Sequence, residues 1–129
     1  MERLELKIED AKKALTSLNE VMKEPYSIFI RDATIKRFEY TFDTFWKFLK
    51  EYLKTSKGII VNSPKDSFRE IFSLGFTSEE ETKQLLEMTD SRNETVHTYK
   101  KEVAEVIYKN IKGYAMLMEQ VLTKINPNL

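Results

Sequence analysis

The sequence predicts an all-α fold: an antiparallel, up-and-down bundle of about five helices around a four-helix core, in one domain over residues 1–129. Three observations carry this. Apolar residues recur every three or four positions through several long stretches, the period of a half-buried helix. Only three glycines and three prolines interrupt 129 residues, too few for a turn-rich β fold or a disordered chain. The links between periodic stretches are short, as antiparallel neighbours require.

Leu4, Ile8, Ala11, Leu15, Leu18 and Met22 define the apolar face of the first helix, which Pro25 ends. The second runs from near Ser27 to about Thr55. Its Phe38, Phe42, Phe45, Leu49 and Tyr52 fall within about 80° of one another, beside Ile35, Trp46 and Leu53. Lys36, Glu39, Asp43, Lys47, Lys50 and Lys54 take the opposite side. Tyr40 and Phe48 lie outside the stripe, either as contacts beyond the bundle or as partly covered surface aromatics. SKGIIVNSP is the one real interruption, with Gly58 as a turn and Ile59–Val61 as a packed connector.

Ser63, Pro64 and Asp66 read as the cap, first position and acidic first turn of a third helix. Phe68, Ile71, Phe72 and Leu74 form its core side, and Gly75 its stop. Thr77 with Glu80 resembles a capping box for the fourth helix. Glu79–Glu81 read as a solvated start on the positive helix end rather than a metal site. Leu85, Leu86, Met88 and Thr89 carry this helix toward residue 97. Val103, Val106, Ile107, Ile111, Tyr114, Leu117, Met118, Val121 and Leu122 mark the last helix, stopped at Asn126-Pro127. Met116 and Met118 read as gap-filling core. No internal repeat is present.

Twenty-one basic and 21 acidic residues cancel, so the chain lacks the basic excess of a protein that grips nucleic acid through many phosphates. With no cysteine, disulfides, thiolate chemistry and zinc-thiolate sites are excluded. One histidine and scattered carboxylates do not make a zinc site. No run approaches the ~20 apolar residues of a membrane span, and MERLELKIEDAKKAL has no signal-peptide core. The chain therefore reads as complete and cytoplasmic, without membrane association. No Gly-rich phosphate loop occurs, and the Gly-Ser and spaced-Asp elements of a nucleotidyltransferase are missing. Transferase chemistry would belong to a partner.

The polar cluster lies in SRNETVHTY, residues 91–99, around the only histidine. If the fourth helix reaches residue 97, Asn93 and His97 share a face about 40° apart, with Arg92 roughly 140° from His97. Tyr99 would then stack on the Arg92 side, and Lys100 and Lys101 add positive potential. By spacing alone, a lone histidine such as His97 is more often a structural or surface residue than a site. Asn93 has three readings: it orients His97, contacts phosphate, or satisfies a helix end. Tyr99 reads as a stacking platform or a hydrophobic closure.

IKRFEYTFDTFWKFLKEYL (35–53), SPKDSFREIFSLGF (63–76) and SRNETVHTY, in that order, resemble the HEPN (higher eukaryotes and prokaryotes nucleotide-binding) superfamily. Their branch is that of the nucleotidyltransferase substrate-binding proteins, paired with a minimal nucleotidyltransferase as toxin and antitoxin. The resemblance covers roughly residues 5 to 115. It implies a homodimer, alone or within a heterotetramer or larger complex, in which Arg92 and His97 of two subunits meet at a cleft. It further implies metal-independent, cofactor-free endoribonuclease activity, with Tyr99 as the residue the partner modifies. Such chemistry is consistent with the residues: imidazole serves as base or acid near neutral pH, and guanidinium clamps phosphate. A single histidine per chain requires a second copy for an acid–base pair. The competing expectation is a non-catalytic subunit that presents nucleotide or substrate to the partner enzyme.

Overall fold

The computed structural model describes residues 2–126. Five α-helices follow in order: α1 (Glu2–Val21), α2 (Ile28–Lys57), α3 (Pro64–Ser73), α4 (Glu79–Glu94) and α5 (Lys101–Ile125), with a single 3-10 turn over Thr95–His97 between the last two. The all-α bundle expected from the sequence is the fold observed. Cross-helix contacts give its directions. Arg3 meets Glu51 and Ser17 meets Tyr40, so α1 and α2 are antiparallel. Glu81 meets Lys124 and Ser91 meets Tyr114, so α4 and α5 are antiparallel too. Arg31 pairs with Glu105 and Phe38 stacks on Tyr114, which makes α2 and α5 parallel, as they must be in an up-and-down bundle. Among the described residues no helix is long and apolar enough to cross a membrane.

Hydroxyl caps start the helices. Ser27 Oγ accepts from the Ile30 amide and Ser63 Oγ from the Asp66 amide, replacing the partners that first-turn N–H groups lack. Gly58 closes α2 at φ 67°, and Gly75 follows α3 at φ 86°; both lie in the left-handed region that glycine enters at least cost. The capping box of α4 is one residue later than the sequence indicated. Ser78 Oγ accepts from the Glu81 amide, and Glu81 Oε1 accepts from the Ser78 amide. Thr77 is buried instead, its hydroxyl 2.9 Å from that of Thr82. Three successive glutamates make either register plausible, and the buried Thr77–Thr82 contact selects the second.

The core centres on α2. Phe38, Phe42, Phe45, Phe48, Leu49, Tyr52 and Leu53 are all buried, and Phe42 and Phe45 both pack on Phe68 of α3. Phe48, expected outside the stripe, is fully buried with its ring 6.3 Å from that of Tyr52. A helix enclosed by several neighbours has no single core face. Tyr40 stays exposed, hydrogen-bonded to Ser17. Trp46 is half-buried with the Lys50 ammonium over its ring. Three residues placed in the core by periodicity, Phe72, Val106 and Met116, are exposed, as is Leu74. Of the expected Asn126-Pro127 stop, Pro127 lies outside the described residues.

These contacts bear on stability in two ways. The buried Tyr52 hydroxyl has no hydrogen-bond partner among the described residues, so Tyr52→Phe removes a desolvated polar group at little loss of volume. It is expected to be neutral or to stabilise by up to about 1 kcal/mol, read by urea denaturation. The Ser78 amide, aided by Lys124, holds the Glu81 carboxyl below its ordinary range. Its contribution is present above the ordinary carboxylate pKa and is lost as pH falls through the lowered value. Glu81→Gln should therefore cost stability at about pH 7 and little at about pH 3; equal losses at both pH values would refute this role.

Candidate functional site

The Arg92–Tyr99 segment turns from one helix into another, and its local geometry decides which side chains meet. The α-helix stops at Glu94, earlier than expected, and the next three residues are 3-10. At the change the Thr95 amide donates to the Arg92 carbonyl three residues back, and its hydroxyl lies 2.8 Å from the same oxygen. A 3-10 turn advances about 120° per residue instead of 100°. Arg92 and His97 are thereby rotated to about 160° apart, nearly opposite. Asn93 and His97 diverge to about 100° rather than sharing a face.

Burial matches that rotation. Arg92 points inward against α2. Its Nε and Nη2 donate to Asp43 Oδ1 and Oδ2 at 3.2 and 3.1 Å, a bidentate fork. Nη1 donates to Glu39 Oε2 at 3.3 Å and to Thr95 Oγ1 at 3.1 Å. Glu39 and Asp43, spaced i and i+4, share one face of α2. These bonds, that to Asp43 foremost, hold the Arg92 guanidinium above its ordinary pKa. The acidic pair was visible in the sequence only as part of a mixed polar face; two acids one turn apart were the available signal for a buried-side arginine.

His97 and Tyr99 point outward. Both are exposed, Tyr99 by 77%, and their rings meet edge to face with centroids 6.0 Å apart. The Lys100 ammonium stands 5.8 Å from the Tyr99 ring centre, within cation–π range. Asn93 is exposed as well. The structure thus brings His97, Tyr99 and Lys100 together and directs Arg92 away to Asp43, Glu39 and Thr95. Tyr99 does not stack on the Arg92 side, because the helix does not persist to it.

Beside the turn, α4 and α5 leave an open groove of about 390 Å³ lined by Val103, Val106 and Ile107 together with Ser91 and the acidic Asp90, Glu94 and Glu102. A second network, unmarked by the sequence reading, anchors the same end of the bundle. Buried Arg31 donates to Glu105 Oε2 at 2.9 Å and to Asp32 Oδ1 at 3.0 Å, and the Tyr26 hydroxyl donates to Glu105 Oε2. Those two donors, Tyr26 first, keep Glu105 below the usual carboxylate range. Among the described residues no three His, Asp or Glu side chains converge as a metal-binding group would.

Comparison with known proteins places this geometry. The family described as "Nucleotidyltransferase substrate binding protein like" matches residues 6–127. A crystal structure from Thermus thermophilus is 44% identical, covering 89% of this chain and 98% of that one, with a TM-score of 0.85. A tri-AMPylated HEPN toxin of Shewanella oneidensis, solved in complex with an MNT antitoxin, shares the fold at a TM-score of 0.77. It is 16% identical, with 96% of each chain covered. No curated protein matches the chain.

Arg92→Ala would leave two adjacent carboxylates facing one another without their cation. Because the cluster is partly solvated, the expected loss is about 1 to 2 kcal/mol rather than the cost of a buried ion pair. Arg92→Lys should recover less than half of it, since an ammonium cannot reproduce the fork. Denaturation midpoints check both; full recovery by lysine would show that charge alone matters.

Proposed function

The chain belongs to the nucleotidyltransferase substrate binding protein like family, and from that premise we propose that it is the partner of a minimal nucleotidyltransferase, with Tyr99 as the acceptor of a nucleotidyl group. The observation that carries this reading is the exposure of the Tyr99 phenol on a helix-linking turn, with a lysine ammonium at its ring. An enzyme must reach the acceptor oxygen, and this oxygen is open to solvent. The HEPN toxin with the same fold, AMPylated and bound to an MNT antitoxin, supports the pairing. The acid-lined groove beside the turn supplies a surface for a protein partner.

In the transfer step the Tyr99 oxygen attacks the α-phosphorus of a nucleoside triphosphate held by the partner. The bond from that phosphorus to the bridging oxygen breaks, pyrophosphate leaves, and the phenolic proton passes to a base of the partner. On this reading Lys100, whose ammonium stands 5.8 Å from the Tyr99 ring centre, offsets charge on the new phosphodiester. What the modification silences, on this reading, is metal-independent cleavage of RNA by His97 as acid or base and Arg92 as phosphate clamp. Because the two side chains leave opposite faces of one chain, the pair is assembled across a two-fold dimer, Arg92 of one copy serving His97 of the other. Asn93 then lines the cleft, orienting His97 or touching phosphate. The protein works in the cytoplasm in this scheme.

One observation favours the competing reading of a non-catalytic subunit that presents substrate to the transferase. Arg92 has five N–H donors, and four are already committed within the chain.

Incubating the purified protein with the nucleotidyltransferase encoded beside it and ATP tests the first reading. The expected result is an adenylyl adduct on Tyr99 by peptide mass spectrometry, absent in Tyr99→Phe, together with RNA cleavage by the unmodified protein that His97→Ala abolishes. An adduct retained by Tyr99→Phe overturns the acceptor. Adduct formation without any RNA cleavage selects the non-catalytic subunit.

A further inference from the structure

The guanidinium read above as a phosphate clamp already has anions of its own. Asp43 takes it bidentately, Glu39 takes a third N–H and Thr95 a fourth. Two carboxylates face this one guanidinium, and Lys36, one turn away on α2, reaches Glu39 Oε1 at 3.9 Å. A phosphate arriving here meets an occupied fork and must compete with both carboxylates for it.

We infer that Glu39 and Asp43 form a latch that withholds Arg92 from RNA phosphate, so that RNA binds by exchanging places with these carboxylates. The inference rests on the reading of Arg92 as the phosphate clamp. Carboxylate and phosphate present a guanidinium with the same two-oxygen geometry, so phosphate can take over the bidentate fork that Asp43 fills. The latch is also accessible: the Arg92 and Glu39 side chains are each 23% exposed and Asp43 40%. Its carboxylates regain water when the arginine departs, which a deeply buried pair would not.

Thr95 couples the latch to the turn. Its hydroxyl accepts from Arg92 Nη1 and donates its one proton to either Glu39 Oε2 at 3.0 Å or the Arg92 carbonyl at 2.8 Å. Departure of Arg92 removes one of these ties at the first residue of the 3-10 turn that carries His97. Engagement of RNA and adjustment of the imidazole are thereby linked, and the latch is a switch on the site rather than a brace remote from it.

Binding of a fluorescent single-stranded RNA oligonucleotide tests the latch, with every variant carrying His97→Ala so that no cleavage occurs. Against that background, Glu39→Gln with Asp43→Asn should bind about tenfold tighter, since neutral amides surrender the guanidinium. Adding Arg92→Ala should erase the gain. No gain in affinity overturns the latch, and so does a gain that survives without Arg92, which would be a mere charge effect. Absence of measurable RNA binding by every variant overturns it as well. If the double variant does not fold, Glu39→Gln alone keeps the test, with an expected gain of about threefold that Arg92→Ala again removes. The Arg92 Nε–H resonance gives a second readout: it should shift on titration with the same RNA, and an unchanged resonance at saturation refutes the exchange. A missing adduct on Tyr99 would sink the acceptor reading and leave these results standing.

Discussion

The packing of α2 on several sides at once is the constraint on which the rest depends. Its 30 residues bury five aromatic rings, Phe38, Phe42, Phe45, Phe48 and Tyr52, together with Leu49 and Leu53. Each such side chain contributes roughly 1.5–3 kcal/mol by leaving water, and the other helices are arranged to cover them. α1 runs antiparallel along one side, α3 offers Phe68 to Phe42 and Phe45, and α5 stacks Tyr114 on Phe38. Only a narrow strip of α2 remains for charge beside α4, and Glu39 and Asp43 occupy it. The acidic pair therefore meets the last turn of α4, and that turn carries Arg92.

That arrangement explains the split between the inward and outward members of the turn. Arg92 is spent on α2, and the hydroxyl of Thr95 joins the same network at the point where the helix tightens to a 3-10 turn. Everything after Thr95 is consequently rotated outward, which is why His97 and Tyr99 share solvent with Lys100. One ion-pair cluster thus fixes the helix end and sets which residues of the turn face outward, where a partner protein can reach them.

Much of this was legible in the sequence, where the physics is local. The serines at 27 and 63 start helices because a hydroxyl satisfies a nearby amide, and Gly58 ends one because its backbone conformation demands glycine. What failed was non-local. Phe48 looked peripheral because a single-stripe reading assumes one covered side, whereas α2 is covered on several. Phe72, Val106 and Met116 obey the apolar period yet lie in the open, since periodicity names a face without saying that anything packs on it. Ser78 displaced Thr77 as the cap through a buried contact with Thr82 that the capping pattern alone does not encode. For the site, the residue types of 91–99 drew attention to that segment, but the direction of Arg92 depended on acids about fifty positions earlier.

The single tryptophan acquires a use from this layout. Trp46 is three residues beyond Asp43 on α2, half-buried and capped by the Lys50 cation, so its indole sits one helical turn from the charge cluster. Indole emission responds to nearby charge and hydration. The chain consequently carries a native optical reporter beside its ion-pair network, and rearrangement there is visible in the fluorescence of the unlabelled protein without contribution from any other indole.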